Sequence, residues 1–119
     1  MDHPVPDRDA VLGTLRAREA ELRAAGVRSL YLFGSTARRE ATAFSDVDLF
    51  MDQADPEVSD MIDLIAVSER IGEALGGVRV DLATRGSLHP VLRPAIEANA
   101  VRVFDTSIRP TASGMNPPS

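Results

Sequence analysis

The chain has 119 residues, a formal net charge of −5 and no cysteine. That length suits one domain with one modest core and leaves no room for a separate substrate-binding domain, and without thiols there is neither a disulfide nor a thiolate metal centre. The acidic balance argues against a protein that grips nucleic acid by its phosphates, which needs a basic surface, so no direct nucleic-acid binding is expected.

Residues 7 to 25 predict a helix: Val11, Leu12, Leu15 and Leu22 form its apolar stripe, Arg16, Arg18, Glu19, Glu21 and Arg23 its solvated face, and Gly26 a stop. Ser29 to Phe33 is apolar and bounded by Gly34, which predicts a buried strand, and a second strand runs from Asp46 to Met51. Asp55-Pro56-Glu57 opens a helix from about 57 to 75, with proline and acids where helix N-termini prefer them. Met61, Ile62, Leu64, Ile65, Val67, Ile71 and Leu75 give it a buried side, and Gly76-Gly77 end it. Val78 to Ala83 is a third strand, Leu88 to Asn99 a third helix despite Pro90 and Pro94, and Ala100 to Phe104 a final strand. The domain is expected over 1–106, and the Pro-, Ser-, Thr- and Gly-rich tail 107–119 is expected to be disordered. No apolar run approaches the ~18 residues of a membrane span. Met1-Asp2-His3-Pro4 lacks the marks of a signal peptide, so a cytoplasmic protein with no membrane contact is expected.

Side chains alternate between faces along a strand. Val47, Leu49 and Met51 therefore share one face and Asp46 and Asp48 the other, while Val78, Val80 and Leu82 oppose Arg79 and Asp81. Leu30 and Leu32, and Val101 and Val103, repeat the one-sided pattern. Aspartate is disfavoured in strands, so two in one strand and a third in another point to a site. Three close carboxylates repel one another unless divalent cations lie between them, and an all-oxygen donor set calls for hard ions such as Mg²⁺ or Mn²⁺. At the end of the first strand Gly34 permits close backbone approach, and the Ser35 hydroxyl with successive N–H groups at a helix start suits phosphates. Thr36-Ala37-Arg38-Arg39-Glu40 continues that loop into a short helix.

Gly34-Ser35, ten intervening residues, Asp46-Val47-Asp48 and the later strand acid Asp81 together resemble the polymerase-beta-like nucleotidyltransferase superfamily. The short chain resembles its minimal nucleotidyltransferase (MntA-type antitoxin) branch, over roughly residues 27 to 104. The resemblance implies an α/β fold, a two-layer palm whose mixed, mostly antiparallel sheet of four or five strands carries helices on one face. It implies that Asp46, Asp48 and Asp81 are catalytic and hold two Mg²⁺ or Mn²⁺ ions, with Asp81 beside the incoming hydroxyl, and that Gly34, Ser35, Thr36 and Arg38 bind the nucleoside triphosphate, ATP as substrate. Arg39 departs from the pattern, standing where many relatives carry glycine. The branch is commonly encoded beside a HEPN-domain partner, which implies a hetero-oligomer and transfer of AMP to a tyrosine of that partner.

Three readings follow. In the first the chain is an active protein adenylyltransferase, favoured by its three intact acids. In the second it is a non-catalytic antitoxin that neutralises its partner by binding. In the third it transfers a nucleotide to a small molecule or an RNA end, against which stand the missing substrate domain and the acidic charge. Arg85, just after the third strand, is a weaker candidate for nucleotide or partner contact. His3 and His89 lack metal-ligand spacing, and Tyr31 is read as packing or as a modification target.

Overall fold

The computed structural model describes residues 7–42, 45–54 and 63–106. The apolar alternation of the strands builds one sheet from β1 (Val27–Phe33), β2 (Val47–Gln53), β3 (Val80–Thr84) and β4 (Val101–Asp105), in the order β3-β2-β1-β4. β1 pairs antiparallel with β2 and β4, and β2 pairs parallel with β3. This is the mixed, mostly antiparallel palm that the resemblance implies.

One face of the sheet is dry. Leu30, Leu32, Val47, Leu49 and Met51 are 0% exposed, under Val11, Leu12 and Leu15 of α1 (Arg8–Ala17), Leu22 of α2 (Glu19–Ala24) and Val67 and Ile71 of α4 (Leu64–Ala74). The pairing of β1 with β4 shifts register between Leu30 and Tyr31, and both Val103 and Phe104 are buried in that core, as a bulge permits and strict alternation does not. β4 is an edge strand, and Arg16 of α1 closes part of that edge by donating from Nε to the Val103 carbonyl (3.0 Å) and from Nη2 to the Arg102 carbonyl (2.7 Å). Among the described residues no helix is long and apolar enough to cross a membrane.

Several sequence expectations need correction. The helix expected over 7–25 is two helices broken at Arg18, which redirects the chain from β4, against which α1 packs, to β1, against which α2 packs. The helix expected from about 57 begins at Leu64, because Asp63 is extended (φ −82°, ψ 92°) and caps it by accepting from the Ala66 N–H; residues 55–62 lie outside the described residues. Ile65, expected inside, is 73% exposed: buried Val67 and Ile71 define a stripe to whose side residue 65 falls. The helix expected over 88–99 is an irregular stretch, after a 3₁₀ turn (Arg85–Ser87), and then α5 (Arg93–Asn99). Pro94 explains the late start, since proline fits the first turn of a helix and breaks its interior. Strand bounds also shift: β1 begins two residues earlier than expected, β2 leaves Asp46 just outside, and β3 starts at Val80. The tail from 107 and His3 lie outside the described residues.

Candidate active site

The second face of the sheet carries the acids. β2 and β3 run parallel with Asp48 registered directly against Asp81, so two carboxylates stand side by side on neighbouring strands. Burial, and then the charges of Asp81 and Asp46, push the Asp48 carboxyl above its ordinary range, while Arg38 opposes the rise. Asp46, at the mouth of β2, faces Arg79 at 3.7 Å in an exposed pair. Asp48 and Asp81 are thus brought together, and Asp46 contributes its charge from their margin.

At the end of β1 the backbone turns at Gly34 with φ +74°, a left-handed conformation that glycine adopts without penalty. A Cβ at this position would collide with the Asp48 carboxylate. The missing side chain is therefore what lets the loop and the acid share the space. α3 (Gly34–Ala37) starts there, with Ser35 half-buried and Arg38 exposed; Arg38 Nε donates to Glu40 at 2.9 Å. Thr36, expected among the nucleotide-binding residues, is 0% exposed, and its buried hydroxyl has no partner. Arg39 turns away, donating to Asp9 of α1 at 3.1 and 3.2 Å, and it too is left-handed, with φ 60°.

Arg85 proves to be a strut between elements. It donates to both carboxylate oxygens of Asp52 at 3.0–3.2 Å and to Glu97 of α5 at 2.7 Å, and its guanidinium carbon lies 4.9 Å from the Phe50 ring centre and 5.2 Å from that of Tyr31. The two rings stack 5.1 Å apart. Its hydrogen bonds to Asp52 and Glu97 outweigh burial and raise the Arg85 pKa, and bonds from Arg85 and Ser29 outweigh burial and lower that of Asp52. The second face is thus partly covered, because Glu97 ties α5 over it. Tyr31 donates to Asp105 at 2.7 Å, and burial, then that bond, raises its pKa; it is a packing residue. His89 accepts from the Val91 N–H within its own turn.

The donor chemistry fits hard divalent cations: carboxylate oxygens only, in an adjacent pair whose charges resist one another. As arranged, no three His, Cys, Asp or Glu side chains among the described residues come within reach of one ion, and Asp46 lies 3.7 Å from Arg79.

The family model for the nucleotidyltransferase domain matches residues 15–103. The chain belongs to that family. This nucleotidyltransferase is 43% identical over 75 residues to the protein adenylyltransferase MntA of Thermococcus cleftensis, the match spanning 62% of the chain and 73% of the relative. A solved structure provisionally named a minimal nucleotidyltransferase is 37% identical, with a TM-score of 0.57 over 76% of this chain and 93% of that one. The complex of tri-AMPylated Shewanella oneidensis HEPN toxin with MNT antitoxin has a TM-score of 0.55 at 22% identity, covering 81% of this chain and 74% of that one; at that identity the likeness shows the fold.

Residues that sequence reasoning missed lie on α5. Ile96 and Asn99 face Phe33, Gly34 and Arg38 across a cavity, three positions apart and hence on one helix face. Their spacing was visible, but their neighbour across the fold was not.

Proposed function

We propose that this nucleotidyltransferase transfers AMP from ATP to a tyrosine hydroxyl of a HEPN-type toxin partner and so acts as its antitoxin. The observation that carries the reading is the left-handed Gly34 set against Asp48, with Asp81 registered beside it. The loop backbone comes up against the first of two adjacent carboxylates there, the close approach a phosphate-binding turn needs. The names of the MntA relative and of the HEPN complex support a protein acceptor and a HEPN-type partner; the tyrosine rests on the resemblance.

Two Mg²⁺ or Mn²⁺ ions, held by Asp48 and Asp81 with Asp46 released from Arg79, would neutralise charge developing on the phosphates. The protein's own part is positioning. Gly34 admits the triphosphate to the backbone, and the N–H groups of the loop with the Ser35 hydroxyl donate to its oxygens. Arg38, exchanging Glu40 for phosphate, adds a two-pronged contact. Asp81, exposed at the edge of the pair, would accept the proton of the attacking hydroxyl.

The second reading, neutralisation by binding alone, uses the same partner without transfer. Intact-mass spectrometry of a HEPN-type partner, co-expressed with wild type and with Asp81→Asn, separates the two. Adenylyl adducts with wild type and none with the variant are expected. An unmodified but still neutralised partner in both would contradict the transferase.

A further inference from the structure

Continuous with the Gly34 loop is a cavity of about 370 Å³ lined by Phe33, Gly34, Arg38, Ala95, Ile96 and Asn99, a volume within the range of small-molecule sites. Phe33 on one side and Ala95 and Ile96 on the other make apolar walls that suit a flat ring. Asn99 is the neutral polar group among them. Its Nδ2 donates to the Ala95 carbonyl at 2.8 Å, and because a carbonyl only accepts, the amide orientation is fixed and Oδ1 is left as an acceptor. α5 is held at this wall by Glu97, which accepts from Arg85 at 2.7 Å. We infer that the cavity seats the base of the ATP proposed above, and that Asn99 Oδ1 accepts from the exocyclic amine of its adenine. The inference rests on the Gly34 loop holding the phosphates, and adds what holds the other end of the nucleotide and selects it.

The test is isothermal titration, with Mg²⁺ present, of three probes: ATP, purine riboside triphosphate, which lacks the amine, and inorganic tripolyphosphate, which lacks the nucleoside. Ile96→Trp fills the cavity, and should weaken ATP by about tenfold or more while leaving tripolyphosphate within about twofold. Ala95→Phe narrows the same cavity from an exposed position and should act likewise, and retained tripolyphosphate binding reports a folded loop in each variant. Asn99→Ala should bring ATP down to the affinity of purine riboside triphosphate, itself unchanged. Undiminished ATP affinity in both cavity variants would overturn the base pocket while sparing the phosphate loop. Failure of the wild type to bind either ATP or tripolyphosphate would overturn the loop reading itself, and the pocket with it.

Discussion

Gly34 does two things no other residue could do at its position: it takes a left-handed backbone and leaves room for the Asp48 carboxylate. Gly34→Ala should therefore cost about 1–2 kcal/mol from backbone strain alone, read as a lower urea midpoint, and should weaken ATP as well. Ser35→Ala removes one hydroxyl without strain and should cost ATP about 1 kcal/mol in titration, with the urea midpoint unchanged. Arg39 shows the converse case. The residue is left-handed without being glycine, which costs about 1 kcal/mol, while its exposed pair with Asp9 returns little. Arg39→Gly should leave the melting temperature equal or raise it by a few degrees; a clear fall would mean that the Asp9 contact matters more than the backbone. The departure at residue 39 was legible in the sequence as a missing glycine. That the side chain leaves the site for α1 was not, because Asp9 is 30 residues away in the chain.

Among the elements, the strands were legible and the helix limits were not. Alternation in Val47-Asp48-Leu49 and Val80-Asp81-Leu82 is a local signal, and it placed the acids on the face the structure gives them. The late starts of α4 and α5 depend on Asp63 as a cap and Pro94 in a first turn, and such signals compete with equally plausible starts upstream. The Arg85 strut was invisible because its partners come from β1, β2 and α5. Arg85→Ala would leave Asp52 without its bidentate cation and Glu97 with Arg93 alone, and remove the guanidinium from two rings, at a cost of about 2–3 kcal/mol in urea unfolding. The pH dependence has a definite sign. Asp52 is held below its ordinary range, so its stabilising effect is full above the unfolded carboxyl value of about 3.9 and fades as pH falls through the lower folded value. The gap in unfolding midpoint between wild type and Arg85→Ala should hold steady near neutrality and narrow below about pH 4; a gap that persists in acid would assign the loss to ring packing instead.

Over the whole molecule, a formal charge of −5 and two adjacent carboxylates on one sheet face describe a protein that carries strain for the sake of its site. Relief of that strain by Asp48→Asn should raise the melting temperature in the presence of a chelator, as expected where function and stability conflict. The fold, the family and the acid pair could be reached from the chain alone, whereas the cavity wall on α5 needed the fold. The central claim is that the Gly34 loop and the Asp48–Asp81 pair together hold a metal-bound nucleotide, and calorimetric titration of ATP with and without Mg²⁺ tests it most directly. Wild type should bind ATP tightly only with the cation, and the Asp48→Asn, Asp81→Asn double variant should bind it weakly in both conditions. Equal affinity of wild type and double variant, indifferent to Mg²⁺, would contradict the account.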